Sequence, residues 1–266
     1  MHVGVCSYSF HRLLRAGGQD VFGYIDACRD LGCTQLDPWN SHLPAVAGGA
    51  GPLTDEEKRH LVRVRAAADA AGLPFGTLVV DGAHVYEPTA EARAANRARA
   101  LRHLDAAAIL GARQIRIDAG GPDEPTHDVL DVIQAGYRDL IDRAAPRGIH
   151  VVVENHRGST RHPEHLVRLL ESVPGLGLLF DSQNWLTGMR AEAWRRCAPY
   201  AVAVHVKTFK WDERGNEVSD VDAVGAIEAL KACGYKGAWG IESVPEDGDE
   251  MAGARKSIAL VRRHAQ

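Results

Sequence analysis

Eight short apolar runs rich in β-branched residues, separated by segments of helical periodicity, constrain this chain more than any other feature. They are HVGVCSY (2–8), TQLDPW (34–39), PFGTLVV (74–80), ARQIRID (112–118), IHVVVEN (149–155), LGLLFD (176–181), AVAVHVK (201–207) and AWGIES (238–243). Successive runs start roughly 25 to 40 residues apart, the span of one strand, one helix and two short loops. Their apolar character is nearly continuous rather than alternating, so each strand should be covered on both faces, as parallel strands flanked by helices are. Eight such units fill all 266 residues without a linker or low-complexity tract, which predicts one domain over 1–266. The expected fold is α/β, a single (β/α)8 barrel. The competing open doubly wound sheet would use about five to seven strands and a Gly-rich phosphate turn after the first. Here the first run leads into SYSF, with no GxGxxG.

Helix boundaries support the same partition. Thr54 and Glu57 fit a capping box ahead of EEKRHLVRVRAAADAA. Gly32, Gly72, Gly111, Gly148 and Gly234 each follow a helical segment, where a left-handed stop is expected. The stretch LPAVAGGAGP (43–52) reads as a flexible surface loop.

Composition narrows the function classes. Lys plus Arg number 31 against 35 Asp plus Glu, a formal charge of −4, so no global positive field draws the chain to nucleic acid or anionic lipid. Five cysteines without a CxxC pair encode neither a disulfide framework nor a zinc knuckle. With no signal-like amino terminus and no uninterrupted apolar run of about 18 residues, the expectation is a cytoplasmic protein that does not engage a membrane. A homo-oligomer is left open.

In a barrel of this kind the site lies at the carboxyl ends of the strands, so polar residues that close apolar strands are the candidates. Glu154 closes the fifth run, Asp181 the sixth, His205 and Lys207 the seventh, and Glu242 the eighth. Any one alone could be a helix cap or an ion-pair partner. On adjacent strands about 4.8 Å apart, they converge on one small volume. Three carboxylates cannot share it as bare anions without a cation. Three oxygen donors and one imidazole suit one divalent metal, Mn²⁺ favoured, with Zn²⁺, Co²⁺ or Mg²⁺ as alternatives.

The strings VVVENHRG, LLFDSQNW, AVHVKTF and WGIES, in this order and spacing, together with VGVCSYSF and QLDPWN, resemble the sugar phosphate isomerase/epimerase family of the xylose isomerase-like TIM barrel superfamily (AP endonuclease family 2). The resemblance covers nearly the whole chain. It implies that Glu154, Asp181, His205 and Glu242 bind one metal and that Glu154 and Glu242 also move protons. It further implies that His156 and Asn184 lie at the substrate; a solvated loop histidine and a helix N-cap are the alternatives. Lys207 shares a face with His205 and either contacts substrate or forms a structural ion pair.

The expected activity is a divalent-metal-dependent isomerase or epimerase, acting on a keto-sugar or related polyol ketone by proton abstraction and return through an enediolate. A metal-dependent dehydratase on a keto-polyol or sugar acid is the alternative. An apurinic-site endonuclease or a non-catalytic sugar-binding barrel ranks lower: TFKWDERGNEVSDVD after His205 lacks histidine, and Asp118 rather than His ends the fourth run.

Among aromatic residues, Phe10, Trp39, Trp185, Phe209 and Trp211 fall near expected mouth loops, and Trp39 and Trp185 are the candidates to stack on a sugar. Asp37, Asp81 and His84 are assigned to capping and packing. Arg157 and Arg161 are assigned to a solvated face. Glu246, Asp247, Asp249 and Glu250 follow the eighth run, where such barrels often bind phosphate, and their charge predicts an unphosphorylated substrate.

Overall fold

A computed structural model of the chain describes residues 1–47, 49 and 51–266. Eight strands form: β1 (Val3–Cys6), β2 (Gln35–Asp37), β3 (Thr77–Val80), β4 (Gln114–Ile117), β5 (His150–Glu154), β6 (Gly177–Asp181), β7 (Ala201–Thr208) and β8 (Trp239–Ser243). Each is shorter at one or both ends than its apolar run, β7 excepted. Ile149 and Leu176 are buried beneath the helices but lie outside the ladders, so hydrophobicity outlasts strand pairing at those two entrances.

All neighbours pair in parallel, in the order β2-β1-β8-β7-β6-β5-β4-β3. Between β2 and β3 the ring closes through two isolated parallel bridges, Leu36 to Phe75 and Trp39 to Val79. Pro38 has no N–H to donate at this seam. The Asp37 carboxylate instead accepts from the Thr77 N–H at 2.8 Å and from Gln35 Nε2 at 2.9 Å. Asp37 thus adds a side-chain tie to a seam also held by backbone bonds from Leu36 N–H to the Pro74 carbonyl, Gly76 N–H to that of Leu36 and Val79 N–H to that of Pro38.

The helices are α1 (His11–Arg15), α2 (Val21–Asp30), α3 (Pro44–Ala47), α4 (Asp55–Ala70), α5 (Ala90–Leu110), α6 (His127–Ala144), α7 (Pro163–Ser172), α8 (Arg190–Cys197), α9 (Ala223–Ala232) and α10 (Glu250–His264). The capping box of α4 forms, with Glu57 N–H donating to Thr54 Oγ1 at 3.3 Å and Thr54 N–H to Glu57 Oε2 at 2.6 Å. Gly111 ends α5 at φ 75° and Gly148 follows α6 at φ 66°, backbone that a Cβ would strain.

The 43–52 stretch departs from the expected flexible loop where it is described. Leu43 and Val46 are fully buried, and the Arg102 guanidinium donates to the carbonyls of Val46, Gly51 and Pro52 at 3.0, 2.9 and 2.8 Å. A buried arginine from α5 pins a segment whose Ala/Gly composition alone suggests mobility. Gly48 and Ala50 of that stretch lie outside the described residues.

Side chains alternate across each strand. Outward residues such as Leu78, Ile115, Val153 and Phe180 join one large core beneath the helices. Inside the barrel, Val152, Leu179 and Ala203 form a small separate apolar layer. Two residues further along β5, β6 and β7, the same inward row carries Glu154, Asp181 and His205. This thin apolar floor sets the height of the polar site. No helix among the described residues is long and apolar enough to cross a membrane.

Candidate metal centre

Strand register brings the second-half candidates together. Asp181 pairs with His205 across β6 and β7, and Lys207 pairs with Glu242 across β7 and β8. Glu154, Asp181, His205 and Glu242 are all buried, and one donor atom from each lies within 4.8 Å of the other three. His205 Nδ1 stands 3.0 Å from Glu242 Oε2 and 3.5 Å from Glu154 Oε1. Asp181 Oδ1 accepts from the N–H groups of Gln183 and Asn184 at 2.7 and 2.9 Å, which fixes the carboxylate. Its Oδ2, Glu154 Oε2 and His205 Nδ1 have no hydrogen-bond partner. Buried polar atoms are rarely left so. Three carboxylates and one imidazole, each bringing one oxygen or nitrogen within 4.8 Å of the others, fit a divalent cation of intermediate hardness.

The surrounding charges divide the carboxylates. Burial pushes Glu242 up, but the Lys207 ammonium and His205 outweigh it and hold the acid well below the usual carboxylate range. Lys207 also lies 3.6 Å from Asp181 Oδ2. Burial likewise raises Glu154, and Arg116 overcomes it, leaving that acid lowered. Asp181 goes the other way: burial, only partly offset by Lys207, raises it to about 6. Two acids are therefore held ionised while the third resists ionisation until a cation compensates it.

Positioning groups missed in the sequence surround the quartet. Buried Asn155 clamps β5 to β6, accepting from Asp181 N–H at 2.8 Å and donating to the Asp181 carbonyl at 3.0 Å. Arg116 reaches three acids: Asp81 at 2.9 Å, Asp118 at 3.0 Å and Glu154 at 3.0 Å. The last contact is close enough to pair but is not aligned as a hydrogen bond. A cation within an apolar run, two residues from Asp118 and so on the same strand face, was the signal available for it. Asp118 in turn binds His156 Nδ1 at 2.9 Å, so His156 is half-buried and fixed rather than a free loop histidine. Asp81, assigned to capping, instead pairs with Arg116 and accepts from Trp39 Nε1 at 2.8 Å. His84 pairs with Glu87 at 3.0 Å.

The five candidate substrate contacts fall on two adjoining cavities at the mouth. One, of about 110 Å³, is lined by Trp39, His156 and Lys207 together with Tyr8, Glu154 and Glu242. The edge of Tyr8 packs against Trp39 at 5.0 Å. The other is lined by His156, Asn184 and Trp185. Asn184 does not cap a helix through its side chain: its Nδ2 is buried without a partner. Trp185 is only 5% exposed and packs on Phe180, so it is chiefly a wall of the core. Phe10 is fully buried against Tyr24, and Phe209 and Trp211 line neither cavity.

The acids after β8 are partly spent on structure. Glu250 is buried and accepts from the N–H groups of Arg12 and Leu13 at 2.8 and 2.9 Å. Asp249 caps α10 through Ala252 N–H at 2.9 Å, and Glu246 lies 3.7 Å from Lys210. None of the four acids lines either mouth cavity, which removes the basis for expecting phosphate to be repelled there.

A family model, the xylose isomerase-like TIM barrel, matches residues 25–264, and the chain belongs to that family. No curated protein matches the chain. Among solved structures it is similar to a xylose isomerase domain protein from Planctomyces limnophilus, at 22% identity and TM-score 0.72, covering 99% of this chain and 97% of that one. It is also similar to D-allulose 3-epimerase from Methylomonas sp. in complex with D-allulose, at 16% identity and TM-score 0.75, covering 99% and 97%. A third is 3-keto-D-glucoside 4-epimerase from E. coli, at 18% identity and TM-score 0.71, covering 92% and 95%. At these identities the likeness concerns the fold.

Proposed function

We propose that the chain is a metal-dependent isomerase or epimerase of a keto-sugar or related polyol ketone, with Glu154 and Glu242 moving the proton. Glu154, Asp181, His205 and Glu242 would hold one divalent ion, with Mn²⁺ preferred. The observation that carries this reading is the buried cluster of three carboxylates and one imidazole within 4.8 Å, three of whose polar atoms lack partners. When bound, the ion would supply the positive charge that acidifies a carbon beside a carbonyl.

The chain's own residues do the rest. Glu154 and Glu242 come from strands separated by two others, so they can flank one substrate carbon, one removing a proton from one face and the other returning it to the opposite face. Arg116 and Lys207 keep these acids ionised and so ready to accept a proton. His156, oriented by Asp118, presents its other ring nitrogen to a substrate hydroxyl. Trp39 and Tyr8 wall the cavity above the acids and exclude water, and Asn184 and Trp185 line the outer end. The known epimerases of this fold support the class of reaction.

Deuterium exchange tests it. Metal-loaded protein incubated with keto-sugars and polyol ketones in D₂O should introduce carbon-bound deuterium, with about one ion per chain. If every such compound stays unlabelled while the ion is bound, the reading fails. Enone absorbance would mark dehydration instead, and three ions per chain would mark the nuclease.

A further inference from the structure

The larger mouth cavity, of about 750 Å³, opens between the loops after β5 and β6, and Arg157, Arg161 and Arg190 all line it. The rest of its polar wall is also rich in donors. Asn184 contributes its unpartnered Nδ2, and Ala191 belongs to the first turn of α8, whose N-cap residue Met189 supplies no side-chain cap. Asp220 is the one acidic side chain on this wall among the described residues.

The arginines are poorly satisfied by the protein. The acid paired with Arg161, Asp123, is 3.7 Å away. Arg190 donates to the backbone carbonyl of Asp220 rather than to a carboxylate. Arg157 is exposed and makes no ion pair among the described residues. Three guanidinium groups around one concave surface repel one another, and in a chain of formal charge −4 their gathering does not follow from composition. An anion accepting from them through charge-assisted hydrogen bonds removes that cost. His156 and Arg157 line both this cavity and the smaller one above Glu154 and Glu242, so one ligand can reach from one into the other.

We propose that this cavity is an anion subsite, which receives a carboxylate or phosphate group at the end of the substrate remote from the carbon held between Glu154 and Glu242. The substrate is then an anionic keto-sugar. The assignment of Arg157 and Arg161 to a merely solvated face is replaced by a role in specificity. The inference rests on the proposed reaction centre for its substrate, but the binding of an anion can be measured without turnover.

Inorganic phosphate and malonate serve as probes in low-salt calorimetry on the metal-loaded protein. The double variant Arg157→Gln/Arg161→Gln controls for any anion held at the metal. Wild type should bind at least one probe, and the double variant should bind it about tenfold or more weakly with an unchanged unfolding midpoint. A panel of neutral ketohexoses, their 6-phosphates and hexulosonates then separates the two sources. One anionic class should exceed the neutral sugars about tenfold or more in kcat/KM, and the double variant should lose that preference through KM. Equal probe affinity in wild type and variant, or absence of probe binding to wild type, overturns the subsite. So does a neutral ketose favoured equally by both proteins. If no sugar exchanges deuterium yet the probes bind and the double variant releases them, the anion subsite stands and the proposed reaction centre falls.

Discussion

Two clusters of acids and histidine adjoin at the barrel mouth through Arg116, which touches Asp81 and Asp118 of one and Glu154 of the other, and they balance charge differently. On the β3–β4 side Asp81, Asp118 and His156 lie close enough together to suggest a metal site. There Arg116 sits among them, touching both carboxylates, and His156 engages Asp118. On the β5–β8 side three carboxylates converge with His205, and Lys207 reaches only Asp181 and Glu242. The first cluster is neutralised from within. Both clusters leave buried polar atoms without a hydrogen bond, Asp118 Oδ1 and Arg116 Nε in the first, Asp181 Oδ2 and His205 Nδ1 in the second. Only the second holds an acid, Asp181, that burial raises, to about 6. Proximity of acids and histidines therefore does not by itself separate the two clusters; the resistance of Asp181 to ionisation does.

Several substitutions would break or sharpen this contrast. The largest effect belongs to the proposed bases: Glu154→Gln or Glu242→Gln should lower deuterium exchange about a thousandfold or more in a rapid-quench assay, and activity within tenfold of wild type would remove either acid from the chemistry. Next, Arg116→Met should destabilise the protein by about 3 to 5 kcal/mol in urea unfolding, because it strands buried carboxylates. Added metal should not restore that loss. A smaller change would place compensating charge elsewhere.

The metal side should respond in the opposite sense. Mn²⁺ at about one hundred times its dissociation constant should stabilise wild type by about 3 kcal/mol, seen as a rise in melting temperature, and Asp181→Asn should abolish most of that rise. In the metal-free protein the same variant should be the more stable one above pH 6. Asp181 is raised from 3.8 to about 6, so the stability it contributes is full below pH 4 and is lost as pH rises through about 6. Two units correspond to about 3 kcal/mol as an upper bound. Melting curves from pH 4 to 8 should therefore slope less in Asp181→Asn; identical slopes would remove Asp181 from the uncompensated set. The smallest effect is Trp39→Phe, which loses one hydrogen bond to Asp81 and should cost about 1 kcal/mol, measurable by the same unfolding assay.

Much of this architecture is legible in one dimension. The apolar runs locate all eight strands, and the capping box and stop glycines mark the helices between them, because those signals are local. Glu154, Asp181, His205 and Glu242 stand out since each interrupts an apolar run at its carboxyl end. Arg116 and Asn155 do not, because their importance lies in partners 35 and 26 residues away. The loop at 43–52 reads as mobile for the same reason: its anchor, Arg102, is on another helix. The acids after β8 read as a repulsive patch although Glu250 turns inward to α1, 238 residues back.

By itself the sequence determined the strand–helix alternation, the burial of both strand faces and the identity of the four polar strand ends, since each depends on near neighbours and on the period of the backbone. Only the tertiary structure decided which charges are cancelled and which remain. Burial raises the cost of every uncompensated ion, and whether a counter-charge lies within reach depends on strand register and on loops from distant parts of the chain.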